Sequence, residues 1–432
     1  MQIEELRIYR NLLKQPLFTD MNSLLSAVKD GGFTGEMPDR RSFAAKLAGD
    51  LMAFAAAYGF SGNLWHACLA FLLAEDENAW SLSKELRRDP VSDTLDQAVL
   101  SDFELLSSLF HSDIGVIDQV LQIDCFVMLK DYVNRTSHES LTLPMREALR
   151  DLATDLEETS DAEEFRDRVA EFYKTYGVGM FGLHNAFRVS SDAGKAELLP
   201  IRHIAQIRLD DLVGYELQKQ KLRENTEAFL KGRAANNCLL FGPAGTGKSS
   251  SIKGILNEYA GSGLRIVELF RHQIRLLPEI TELLRNRRYR FIIYMDDLSF
   301  EDFETDYKYL KAVIEGGLES RPENVLIYAT SNRRHLIRES FKDREEGEND
   351  LHRNDTVQEK LSLAYRFGVS IYFGSPDKKE FNHIVKELAA RYNIRMNEQT
   401  LLLKANQWEL SHGGLSGRTA QAFIDYLRGS EG

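Results

Sequence analysis

Cysteine is scarce in this sequence. The 432 residues hold three, Cys68, Cys125 and Cys238, widely spaced and odd in number. That pattern excludes a disulfide framework or a paired-cysteine zinc site and fits a reducing compartment. The opening stretch is charged from Glu4 onward and lacks the basic-then-apolar order of a secretion signal, so a cytoplasmic protein is expected. Long apolar runs are also nearly absent. Residues 51–74 carry no formally charged side chain, but Gly59, Ser61, Gly62, Asn63 and His66 interrupt the middle. A buried pair of helices around a Ser61-Gly62-Asn63 turn is expected there, and no membrane span. No H-E-x-x-H or G-x-S-x-G pattern occurs, and no repeat of about 30–45 residues holds.

Positive charge is missing from the first half. Residues 1–200 hold 33 acidic and 19 basic residues, a net of −14, whereas the remainder holds 33 and 35, a net of +2. An acidic half is repelled by a phosphate backbone, so its expected partner is a protein rather than nucleic acid.

Residues 1 to about 188 read as helix after helix, since Val, Ile and Thr never cluster with a period of two. Helical runs are expected from a cap at Asp39, from a cap at Asn63, and over 97–110, 117–132, 143–156 and 161–176. A polar break at 190–195, followed by Pro200, reads as a linker. Beyond it the texture changes. Short continuous apolar runs at 238–241, 264–269, 291–295, 325–329 and 369–373 alternate with helical patterns, which fits parallel strands buried on both faces. Three helices close the chain, opening at Ser375-Pro376-Asp377, Asn397 and Ser416. Three parts are therefore expected: 1–190 all-helical, 201–374 α/β, and 375–432 a small helical domain.

The chemistry is concentrated in the middle part. Gly242-Pro243-Ala244-Gly245-Thr246-Gly247-Lys248-Ser249 fits G-x-x-x-x-G-K-[ST] at every fixed position, between a strand and a helix, with Ser250 following. Glycines let such a loop wrap phosphates so that consecutive backbone N–H groups and a helix N-terminus face the anion. Lys248 is expected on the β- and γ-phosphates of ATP and the Ser249 hydroxyl on Mg²⁺. The run at 291–295 ends in Asp296-Asp297. Asp296 is the expected magnesium acid and Asp297 the group that polarises the attacking water. Asp is a methylene shorter than Glu, which bears on the reach of a general base and makes slow hydrolysis a rival expectation. Asn332, at the end of the next strand, is placed to bond the γ-phosphate or the water. Arg366, ahead of the fifth strand, and Arg418, opening the last helix, could each neutralise charge on a transferring phosphoryl group.

Two basic clusters remain open between a solvated face, nucleic acid, an acidic partner and a neighbouring subunit: Arg285, Arg287, Arg288 and Arg290, and Arg333, Arg334 and Arg338. Residues 342–355 are charged, nearly free of apolar side chains, and expected to be a loop.

This order of motifs resembles the AAA+ superfamily over residues of about 201–429. Strings such as Leu212-Val213-Gly214-Tyr215-Glu216, Asp296-Asp297-Leu298-Ser299-Phe300 and Glu315-Gly316-Gly317-Leu318-Glu319 resemble a bacterial AAA+ family catalogued as a domain of unknown function. The resemblance implies a five-stranded parallel sheet of order 5-1-4-3-2 and a C-terminal helical lid. It implies Val213, Gly214 and Tyr215 around the adenine, Arg366 acting in trans, and Arg418 acting in cis. It also implies that Asp is ordinary at the place of Asp297. The chain departs at Ala364-Tyr365, where the resemblance implies Ser-Asp. The expectation is thus an ATPase that uses Mg·ATP in a homo-oligomer, with the helical half recruiting a protein. A switch or scaffold with little hydrolysis and a nucleic-acid-linked loader or motor are the rivals.

Overall fold

The computed structural model describes residues 2–29, 40–86, 94–135, 140–192, 195–300, 306–315, 322–333, 336 and 363–430. It divides the chain into two compact units, Met1–His184 and Asn185–Gly432. The 342–355 segment, Arg334 and Arg338 lie outside the described residues.

The first unit is helical. Residues 51–74 form parts of two helices, Arg40–Tyr58 and Leu64–Glu75. Gly59 and Gly62 hold positive φ between them, and the Asn63 side chain accepts from the Trp65 and His66 amides. Among the described residues, no helix is long and apolar enough to cross a membrane. One core runs from Ile3 to Leu183. Two of its buried acids, Asp102 and Asp118, each gather several backbone amides. The Asp102 carboxylate accepts from the amides of Arg7, Ile8 and Tyr9 at 2.7–3.1 Å, tying the chain's start to the interior.

The helix expected over 117–132 is shorter and is corrected to Gly115–Leu121. Gln122 turns into the left-handed region at φ 55. The Asp118 carboxylate then gathers the Cys125, Phe126 and Val127 amides at 2.7–3.2 Å, an arrangement a continuous helix cannot make.

The second unit is built on one sheet of seven strands, not five. The strands are β1 (Ala186–Asp192), β2 (Lys195–Pro200), β3 (Cys238–Phe241), β4 (Leu264–Glu268), β5 (Arg290–Met295), β6 (Val325–Ser331) and β7 (Val369–Tyr372), in the order β2-β1-β4-β5-β6-β3-β7. The last five are mutually parallel, as their continuous apolarity requires. The two added strands occupy the stretch expected as the end of the helical part and a linker. β1 pairs parallel to β4 and antiparallel to β2. Its Phe187 and Val189 are buried while Arg188 faces solvent, the alternation of a strand near an edge.

The last helices, Lys378–Arg391, Glu398–Ser411 and Gly417–Ser430, enclose their own core of Phe381, Val385, Leu401, Phe423 and Ile424. Asp377, not Ser375, is the first cap: its carboxylate and that of Glu380 exchange bonds with each other's amides at 2.8 and 2.9 Å. Asn397 and Ser416 cap the other two, bonding the Gln399 and Thr419 amides.

Candidate nucleotide-binding and catalytic site

Because β3, β5 and β6 are parallel neighbours, the residues that follow them meet at the carboxyl edge of the sheet. The phosphate loop leaves β3 there. Gly242, Gly245 and Gly247 take φ values of 143, 78 and 93. A methyl group on Gly242 would stand 2.0 Å from the Phe373 carbonyl oxygen, so the loop's entry has room for glycine alone. The loop runs into the helix Lys248–Tyr259, whose first N–H groups have no partners within the helix.

Lys248 is 6% exposed and donates to the carbonyls of Gly242 and Pro243, both at 2.7 Å, and to Asn332 Oδ1 at 3.1 Å. Desolvation lowers its pKa and nearby Arg418 adds to that, while Asp297 and Asp296 oppose; the net displacement is downward. The Ser249 hydroxyl donates to Asp296 Oδ1 at 2.7 Å. Thr330 donates to the same oxygen at 2.5 Å and accepts from the Asp297 amide at 2.9 Å. Desolvation pushes the Asp296 carboxyl upward. Hydrogen bonds from Thr330 and Ser249, with the nearby Tyr294 hydroxyl and the Asp297 amide, outweigh that and hold it below its ordinary value. Asp296 is therefore ionised at neutral pH. Asp297 itself sits at φ 49, a costly conformation for a residue with a side chain, and its Oδ1 accepts from Asn332 Nδ2 at 2.7 Å. Asn332 thus bridges lysine and acid.

The lid reaches this loop. The Arg418 amide donates to the Gly245 carbonyl at 3.2 Å, and a methyl on Gly245 would come within 3.0 Å of Arg418 Cβ and Ser416 Oγ. Val213, Gly214 and Tyr215 form a turn between the loop and the lid. Val213 packs on the lid's core, Leu212 lies beside Gly247, and Tyr215 donates to the Gly374 carbonyl at 2.7 Å with its ring 5.2 Å from Phe373. Arg366 is elsewhere. It precedes β7, whose register with β3 places it at the amino edge, and it pairs with Glu315 of the same chain. The structure thus gathers Lys248, Ser249, Asp296, Asp297, Asn332 and Arg418, and leaves Arg366 at the far end of the sheet.

The model of the family described as "Protein of unknown function (DUF815)" matches residues 183–431, more than half of the chain. The chain belongs to the DUF815 family. No curated protein matches it. Among solved structures it is similar to two mutants of RuvB from Thermotoga maritima. They share 16% and 17% identity, with TM-scores of 0.36 and 0.37, over 52% and 51% of this chain. The matches span 66% and 65% of those chains, just under two thirds of their length. It is also similar to the FIGL-1 AAA domain in complex with ADP: 18% identity, TM-score 0.35, over 52% of this chain and 76% of that one.

In this DUF815 chain the sequence pattern does not announce two partners, Thr330 in the site and Glu315 beside Arg366. Thr330 stands in a strand, where threonine is an ordinary strand former, yet its hydroxyl joins both acids. Glu315 holds Arg366 across a separation of 51 residues, and nothing local in the sequence announces it.

The donor set fits Mg·ATP. A hydroxyl and an ionised carboxylate, 2.7 Å apart beside a glycine loop, supply the few protein oxygens magnesium takes when phosphates and water complete its shell. Among the described residues there is no cluster of three or more His, Cys, Asp or Glu that would hold a metal by itself.

Proposed function

We propose that this chain is an AAA+ ATPase that binds Mg·ATP on the phosphate loop and hydrolyses it to ADP and phosphate at subunit interfaces. The observation that carries this reading is the unbroken network Lys248–Asn332–Asp297 and Ser249–Asp296–Thr330 at the mouth of the glycine loop. Lys248 turns from the loop carbonyls to the β- and γ-phosphates, with Ala244 through Ser250 supplying backbone amides. Val213, Gly214 and Tyr215 flank the adenine. Ser249 and Asp296 would hold magnesium, which would supply positive charge against the phosphates. Asn332 and Asp297 hold the attacking water; its oxygen bonds to the γ-phosphorus and its proton passes to Asp297, while the bond to the bridging oxygen breaks and ADP leaves with that oxygen.

Arg418 meets the γ-phosphate in cis. Arg366 is at the other end of β7, about 13 Å of strand away, and so serves a neighbouring chain's nucleotide. This makes the working form a homo-oligomer. The acidic helical unit recruits a protein partner that the cycle remodels or regulates.

A second reading, an ATP-dependent switch with little hydrolysis, draws on one observation: Asp297 is short and its carboxylate is already held by Asn332. The deciding measurement is steady-state ATP hydrolysis against protein concentration at fixed Mg²⁺, with Lys248→Ala as control. A specific rate that rises with concentration and vanishes in the control supports shared active sites. A flat rate near zero with ATP still bound supports the switch.

A further inference from the structure

Two tyrosines stand side by side beneath the helix Lys248–Tyr259. The register of β5 and β6 sets Tyr294 against Tyr328, and both share a core with Ile252 and Ile255 of that helix. They are 4% and 0% exposed. Their hydroxyls fare differently. Asn225 Nδ2 donates to Tyr328 Oη at 2.9 Å, and Thr226 Oγ1 is bonded to it at 2.9 Å. Tyr294 Oη is shut off from solvent and has no hydrogen-bond partner among the described residues.

A buried hydroxyl without a partner lowers stability, and phenylalanine would fill the same space without that penalty. Tyrosine at this position is therefore worse for folding than its closest apolar equivalent, which points to a use for the oxygen. The surroundings say which use. Side chains two apart on a strand share a face, so the Tyr294 ring lies on the side of the sheet toward which Asp296 projects. The groups acting on its hydroxyl are Asp296, Ser249 and Thr330. Those three are already joined: Asp296 Oδ1 accepts from Ser249 at 2.7 Å and from Thr330 at 2.5 Å. Among the described residues of this cluster, the Tyr294 oxygen alone is left over.

Magnesium held by few protein oxygens keeps several of its waters. A water on the metal has two hydrogens to give, and each needs an acceptor in a site closed to solvent. We propose that Tyr294 is a positioning residue of the magnesium site, its oxygen accepting one hydrogen of a metal-bound water whose other hydrogen goes to the Asp296 carboxylate. This rests on the Mg·ATP reading of the site. Tyrosine at 294 thus trades some stability of the empty chain for order in the loaded one.

The test compares the full chain with Tyr294→Phe and Tyr328→Phe in two measurements. One is thermal unfolding without ligand. The other is a Mg²⁺ titration of ATP binding, with affinity in EDTA as the metal-free reference. Tyr294→Phe is expected to unfold at an unchanged or higher temperature, while its magnesium midpoint rises about threefold to tenfold and its metal-free affinity stays the same. Tyr328→Phe, which strips two bonds from the same layer, is expected to unfold at a lower temperature with its midpoint unmoved. If Tyr294→Phe instead behaves like Tyr328→Phe, the hydroxyl serves packing alone and the proposal is overturned. An equal loss of ATP affinity with and without magnesium overturns it as well. An unaltered chain whose ATP binding ignores Mg²⁺ and survives Lys248→Ala removes the reading of the site together with the proposal. A magnesium-dependent unaltered chain with an unmoved midpoint in Tyr294→Phe removes the proposal alone.

Discussion

Replacing Thr330 by valine keeps the shape of a 1%-exposed side chain and removes its hydroxyl. Two bonds go at once: the 2.5 Å donation to Asp296 and the 2.9 Å acceptance from the Asp297 amide. A hydrogen bond to a charged group contributes about 1.5–3 kcal/mol. Asp296 is open to solvent on one side, so the lower end applies, and a loss of about 1.5 kcal/mol corresponds to about tenfold in Mg·ATP affinity. The Asp297 amide left without its acceptor costs about 1–3 kcal/mol of stability, or roughly 2–4 °C of Tm for each kcal/mol in a domain of this size.

The pH dependence has a definite sign. A carboxyl held below its ordinary pKa adds stability above the unfolded value, and that stability is lost as pH falls through the folded value. Thr330 is the strongest of the groups that lower Asp296. Thr330→Val therefore moves the acid limb of Mg·ATP binding to higher pH. The assay is a Mg²⁺ titration of nucleotide binding at several pH values, with Thr330→Ser expected to restore wild-type behaviour. A valine variant with an unchanged magnesium midpoint and an unchanged acid limb refutes the idea that Thr330 holds the metal acid.

Arg366→Ala should bind ATP normally and lose about 10³-fold or more in turnover. Mixing it with Asp297→Asn chains should recover activity; no recovery would remove the trans assignment. Gly242→Ala should cost about 2 kcal/mol or more and weaken ATP binding, because its methyl meets the Phe373 carbonyl, while Gly261→Ala, with nothing within 4 Å, should be neutral in thermal unfolding. Residues 185–432 alone should fold and bind ATP; an insoluble fragment would contradict the division at His184.

What the sequence revealed and what it hid follow from the range of the interactions. The phosphate loop was legible because its glycines and lysine act within eight residues, and β3 to β7 because strands covered on both faces carry continuous apolar runs. β1 and β2 were hidden: Ser190, Ser191, Lys195 and Glu197 give them the composition of a loop, and only their place beside β4 makes them strands. The early end of the Gly115–Leu121 helix depends on one carboxylate gathering amides seven to nine residues beyond it, which a helical period does not register. Thr330 and Glu315 act through partners 34 and 51 residues away, so composition near them carries no trace of the pairing.

The hairpin at the edge of the sheet also has a mechanical consequence. The helical unit ends at His184, and β1 begins at Ala186, bonded to β4 on one side and β2 on the other. Tension on that junction therefore runs along the axis of a strand gripped on both flanks. The rungs of the two ladders share such a load in shear, instead of opening one after another from an end.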